Sequence, residues 1–239
     1  MKQINYGIDG PKFVRNLFLF TVIFYGVALI IPSIRTGSLT VNVRLIGIIG
    51  GSVCLAEALL MLLYTQKGKF AHRERMLKLV QWNGNETVLD VGTGLGLLMI
   101  GAAKRLTTGT SVGIDIWNKD DLSQNSSTKA ASNAALEHVA DRIEIKEENI
   151  LHTNFQDNCF DVILSNLCLH NVGNRQNRIK ACKEIHRILK KDGVAIISDF
   201  IHSNEYKAVF LELGMTVEKT GTIFFGTYQP LTIIKAIKN

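Results

Sequence analysis

Two apolar runs constrain this chain more than anything else in it: "LFLFTVIFYGVALIIPSI" (residues 17–34) and "LIGIIGGSVCLAEALLMLLY" (residues 45–64). The first carries no charge and the second carries only Glu57. Each is close to the ~20 residues a helix needs to cross roughly 30 Å of hydrocarbon. A cleaved leader would have a shorter apolar core and a small-residue cleavage site, and no second run would follow it. The link "RTGSLTVNVR" (residues 35–44) suits a helical hairpin. Lys2, Lys12 and Arg15 precede the first run, and Lys67, Lys69, Arg73 and Arg75 follow the second, against Arg35 and Arg44 in the link. That bias puts both ends in the cytosol and the link outside. The expected layout is a membrane-anchoring hairpin over residues 1–66 and a cytosolic domain over 67–239. Two buried helices of a soluble protein are the alternative. Glu57 in mid-span needs a partner such as Arg44, a slot between paired helices, or water. The small residues of "GIIGGS" suit close helix contact.

Beyond the hairpin the pattern changes to strand–helix alternation. "TVLDV", "SVGIDI", "IEIKEEN", "FDVILSNLCL" and "VAIISDF" read as strands, with helical segments between them. "MTVEKTG" and "PLTIIKAIKN" read as a terminal strand pair. Gly193 is expected to close the helix "NRIKACKEIHRILKKDG". Such alternation implies a mostly parallel sheet with helices on both faces, and ligands at the carboxyl ends of its strands.

At the first strand-to-helix turn stands "DVGTGLG", with Gly92, Gly94 and Gly96. Glycine there bends the backbone sharply and lets a ligand lie against main chain. The spacing is not G-x-G-x-x-G, so a dinucleotide pyrophosphate is a poor fit. Asp90, two residues before Gly92, repels phosphate and suits an ammonium group or a water network. Asp115, ending the second strand, is placed for a ribose diol. A ribose, an amino-acid end and no phosphate describe S-adenosylmethionine.

The net charge of +6 comes from scattered Lys and Arg, with no basic stripe interleaved with aromatics, so nucleic acid is not expected as a partner. Cys54, Cys159, Cys168 and Cys182 form no C-x-x-C pair and have no His at ligand spacing. Reduced, packed thiols and no metal are expected.

On "VLDVGTGLG", "GIDI", "FDVILSNLCLHNV" and "ILKKDGVAIISDF", in that order over residues 87–200, the chain resembles class I S-adenosylmethionine-dependent methyltransferases of the small-molecule and quinone-type group. The hairpin followed by "GIDIW" also resembles a membrane-anchored bacterial subgroup. The resemblance implies a Rossmann-like fold: a mostly parallel seven-stranded sheet with an antiparallel terminal strand, after the helical transmembrane hairpin. It implies that Asp90, Gly92, Thr93 and Gly94 hold the methionine end, with Gly96 closing helix to strand. Asp115, with Ile116, takes the ribose. Asn149, with Ile150, lies at the adenine, where the family usually has Asp. Ser165 and Asn166 fall beside the sulfonium. "LKKDG" departs from the family's LKPGG at Lys191 and Asp192.

His170 is a candidate general base, or it shapes the pocket. Trp117 stands near the adenine end, and Asp120, Asp121 and Gln124 suit a pocket wall or a helix entry. The expected reaction is methyl transfer to a small, lipophilic or membrane-partitioning acceptor. The alternatives are a non-catalytic cofactor-binding sensor or scaffold and a protein or RNA methyltransferase.

Overall fold

The computed structural model describes residues 3–118, 122–224 and 226–239. Asp120 and Asp121 lie outside the described residues. The two apolar runs form helices α1 (Pro11–Ile30) and α2 (Val43–Leu63), packed side by side. Their small residues set the contact. A Cβ on Gly47 would sit 2.7 Å from Phe24 O, and one on Gly51 would sit 2.8 Å from the Tyr25 ring. The link is not a plain loop: β1 (Ile34–Thr36) and β2 (Leu39–Val41) pair antiparallel. Leu29, Ile30, Val22, Leu45 and Ile49 are more than half exposed, and α1 and α2 are long and apolar enough to cross a membrane.

Helix α2 runs on through a π-helical turn at Tyr64–Gly68 into α3 (Lys69–Leu77). Insertions of this kind shift the helical register and often sit at functional places. The alternating region then gives β3 (Thr87–Val91), α4 (Leu97–Ala103), β4 (Thr110–Asp115), α5 (Ser127–Leu136), β5 (Ile143–Glu147) and β6 (Phe160–Asn166). It continues with α6 (Arg175–Ile188), β7 (Leu189–Asp199), α7 (Ser203–Glu212), β8 (Thr216–Lys219) and β9 (Thr232–Ile237). These seven strands make one sheet in the order β5-β4-β3-β6-β7-β9-β8, with β9 antiparallel to both neighbours. The order reverses at β3, which creates the crevice such sheets use for ligands.

Neighbouring residues face opposite layers, as the pleat requires. Leu89, Ile163, Ile197 and Ile234 pack with Ile185 and Phe210 on one face. Val88, Leu164, Ile196 and Ile233 pack with Met76, Leu77 and Leu98 on the other.

Gly193 does not cap α6. The helix stops at Ile188, Leu189 pairs directly with Phe160, and it is Asp192 that takes a left-handed conformation (φ +62°). Gly193 instead lies where a Cβ would come within 2.8 Å of Lys190 O.

The segment before α1 is a strap on the body built around the seven-stranded sheet. The Asn133 amide donates to Asn5 O and Leu95 O, and Ser123 N–H donates to Ile8 O. Buried Lys69 Nζ donates to Tyr6 O and Gly7 O, each at 2.7 Å, and lies 3.2 Å from Asp9 Oδ2. The chain before the first apolar helix therefore reaches over the body beyond residue 67.

Candidate functional site

The turn after β3 hooks onto the end of β4. Gly92 and Thr93 N–H both donate to Ile114 O, at 2.9 and 3.0 Å. That fixes the next residues so that Gly94 N–H meets Asp115 Oδ2 at 2.8 Å, while Trp117 N–H donates to Asp115 Oδ1 at 2.7 Å. These two backbone donors, with the Asn125 amide 3.5 Å from Oδ1, orient the carboxylate at the wall of a cavity of about 760 Å³ and leave Oδ2 with a free lone pair among the described residues. Gly92 and Gly94 line the same cavity with positive φ values of 74° and 54°. A Cβ on Gly92 would collide with the Cys168 side chain, so the close approach requires glycine.

Ile116, Asn149 and Ile150 line the cavity beyond Asp115. Asn149 Oδ1 accepts from Leu151 N–H at 2.9 Å, which orients the amide so that its N–H groups can be offered to a ligand. Asn166, at the end of β6, lines the opposite side with a buried Oδ1 that has no hydrogen-bond partner among the described residues.

Asp90, Thr93, Gly96 and Ser165 stand behind this wall. Buried Asp90 accepts from Met99 N–H at 2.9 Å and so anchors the first turn of α4. Burial pushes its carboxyl up to about 7. Ser165 Oγ donates to Val91 O, tying β6 to β3. Trp117 supports Asp115 through its backbone, in a left-handed conformation (φ +56°).

His170 also lines the cavity, just past β6. Its Nδ1 lies 2.9 Å from Asp199 Oδ1, and its ring meets Phe200 edge-on with centroids 4.7 Å apart. Asp199 is buried and accepts from three donors: Phe200 N–H (2.9 Å), His170 N–H (3.2 Å) and Tyr206 O–H (3.3 Å). Asp199 carried no role in the sequence reading. Its signal is an acid at the end of the strand beside β6, where Asn166 pairs with Ser198. Cys168 lies in the same wall, and burial raises its thiol well above the ordinary range, which disfavours the thiolate. No group of three or more side chains suited to a metal ion occurs among the described residues.

The sheet order and the crevice at its switch point are those of the Rossmann-like methyltransferase fold. Residues 89–197 match the family described as "Methyltransferase domain", and the chain has S-adenosylmethionine-dependent methyltransferase homologues. It is 31% identical over 129 residues to 2-phytyl-1,4-naphtoquinone methyltransferase of Nostoc, covering 52% of each chain. It is 29% identical to the ubiquinone/menaquinone biosynthesis C-methyltransferase UbiE of Citrifermentans bemidjiense, covering 66% of each. It is also 31% identical to the ribosomal protein L11 methyltransferase of Anoxybacillus flavithermus, covering 58% of this chain and 40% of that one. The chain spans about half the length of the curated relatives it matches.

Among solved structures, YcgJ of Bacillus subtilis aligns with a TM-score of 0.57 at 18% identity, covering 70% of this chain and 97% of that one. The [4+2]-cyclase SpnF aligns at 0.60 and 15% identity, covering 71% and 80%. These establish the fold.

The family implies S-adenosylmethionine as cofactor, and the residues present fit it. The glycine wall has no room for Cβ atoms, Asp115 offers an oriented carboxylate for ribose hydroxyls, and no cationic cradle for phosphates lines the cavity among the described residues.

Proposed function

We propose that this chain is a membrane-anchored methyltransferase acting on a small, lipophilic or membrane-partitioning acceptor. Its α1–α2 hairpin would span the bilayer twice, with the catalytic domain in the cytosol. The observation that carries the reading is a single cavity joining the Gly92–Asp115 wall to the His170–Asp199 pair. The exposed apolar belt of α1 and α2 supports membrane lipid as a partner, since soluble monomers rarely expose apolar patches of this extent. The quinone-type relatives support a small apolar acceptor.

When bound, S-adenosylmethionine supplies an electrophilic methyl group whose departure leaves a neutral thioether. Gly92 and Gly94 would hold its amino-acid end, Asp115 its ribose, and Asn149 with Ile150 its adenine. Thr93, Gly96, Asp90 and Ser165 would act by holding that wall in place. On the acceptor side, Asp199 Oδ1 at 2.9 Å from His170 Nδ1 would favour the tautomer with its proton there, so that Nε2 could remove a proton from an acceptor hydroxyl or acidic C–H. Positioning in such a cavity is worth roughly 7–11 kcal/mol of barrier.

The test is transfer of labelled methyl from S-adenosylmethionine by the full chain in lipid nanodiscs to extracted membrane lipids, quinols and phenols. Asp115→Ala serves as the inactive control. The L11 methyltransferase relative makes a protein acceptor the second reading, so ribosomal proteins form a separate arm. Cofactor binding with no labelled product in any arm rejects the enzyme reading. The cyclase among the fold's neighbours shows why turnover, and not fold, decides this.

A further inference from the structure

The cavity does not end at the sheet edge. Phe13 from α1, and Met61 and Tyr64 from α2 and the π-helical turn that follows it, line it together with Tyr228 of the loop before β9. Tyr64 is 6% exposed, and its Oη is shielded from solvent with no hydrogen-bond partner among the described residues. It lies beside the Asn166 side chain, whose Oδ1 likewise has no hydrogen-bond partner among the described residues, and buried His72, with its own unpaired Nδ1, lies next to the same amide. Two buried polar atoms of opposite preference, a hydroxyl donor and a carbonyl acceptor, thus stand together at one end of a cavity walled by Phe13 and Met61. Leaving such groups unpaired costs about 1–3 kcal/mol each, which a ligand would recover.

We infer that the hairpin is itself the acceptor-binding wall: Tyr64 and Asn166 grip one hydroxyl of an amphiphile whose apolar body lies against Phe13 and Met61. A hydroxyl accepts from Tyr64 Oη and donates to Asn166 Oδ1 with a single oxygen, which neither an ether nor a hydrocarbon can do. This deepens the proposed function and rests on it: the gripped hydroxyl belongs to the methyl acceptor or stands next to the atom that is methylated. The hairpin then selects the acceptor as well as anchoring the chain.

The experiment uses the full chain in nanodiscs loaded with S-adenosylhomocysteine. The probe is 4-nonylphenol bearing a diazirine in its alkyl chain, with unlabelled 4-nonylphenol and nonylbenzene as competitors. We expect cross-links on the cavity side at or next to Phe13 and Met61, competed by the phenol at least tenfold better than by nonylbenzene. Tyr64→Phe should erase that preference. Met61→Trp, which fills the wall while leaving the polar pair in place, should reduce labelling both alone and when combined with Tyr64→Phe. Absence of cavity labelling in the unaltered chain, or a phenol preference that survives Tyr64→Phe, overturns the inference. S-adenosylhomocysteine binding, followed separately by calorimetry, reports on the cofactor site alone. Failure there sinks the proposed function, whereas intact cofactor binding with no Tyr64 effect sinks only the acceptor wall.

Discussion

The Tyr228 hydroxyl donates to Oε2 of Glu57 at 3.4 Å, joining the loop before β9 to the one charged residue within the apolar runs. Arg44 instead reaches Ala28 O at 3.4 Å. The phenol of Tyr228 is pushed up to about 12, by burial first and by the Glu57 charge second. It therefore stays a donor at any physiological pH. Tyr228→Phe should loosen this junction by about 0.5–1.5 kcal/mol. Hydrogen–deuterium exchange over residues 226–231 should quicken while exchange in β3 and β6 stays the same. Unaltered exchange in the loop would make the contact incidental.

His170→Ala should lower turnover by roughly 10²–10⁴-fold, the usual worth of a positioned base, with cofactor binding retained. Asp199→Asn should act on the base through its tautomer. In ¹⁵N-histidine spectra the unaltered chain should show His170 protonated at Nδ1, and the variant should shift the proton to Nε2. A His170 tautomer indifferent to Asp199 would leave the pair as packing.

Asp115→Ala should weaken S-adenosylhomocysteine binding at least tenfold, consistent with about 1.5–3 kcal/mol for hydrogen bonds to a charged group. Part of the loss would come from freeing Gly94 N–H, which now ends on that carboxylate. Titration calorimetry reads the change directly. Near-equal affinity would move the ribose elsewhere.

Asp90 makes stability depend on pH. Its carboxyl is held at about 7 in the fold against an ordinary 3.8, because burial disfavours the charged form. Between those values the folded chain keeps a proton that the unfolded chain has released, so stability declines as pH rises from about 4 through about 7. Asp90→Asn should flatten that part of the Tm-against-pH curve and leave the region below pH 4 unaltered. Parallel curves for the two chains would contradict the assignment.

What the sequence disclosed was local. The glycine turn, the acid ending β4 and the order of strands are written in short motifs, and Gly92, Asp115 and Asn166 lie on one cavity. The partnership of His170 with Asp199 was not readable, because it depends on how β6 and β7 align. Asn166 opposite Ser198 is a tertiary fact. Phe13 and Tyr64 were hidden for a related reason: apolar residues of a spanning helix and of a binding wall look alike in one dimension. The Gly193 expectation failed because β7 starts at once after α6, leaving no room for a separate cap. The ribbon between the helices did carry a signal: Gly37 takes φ +61° between Thr36 and Leu39, as a tight hairpin turn requires.

Lys69 fastens the leading strap by Tyr6, Gly7 and Asp9, and α2 flows into α3 without an intervening coil. Both feet of the hairpin are thus rooted in the catalytic body. With the helices seated in a bilayer, the opening to the reaction chamber would sit at a fixed height and bearing above the lipid, like a port cut into a piling, and hydrophobic thickness would set how far a guest molecule must rise to enter.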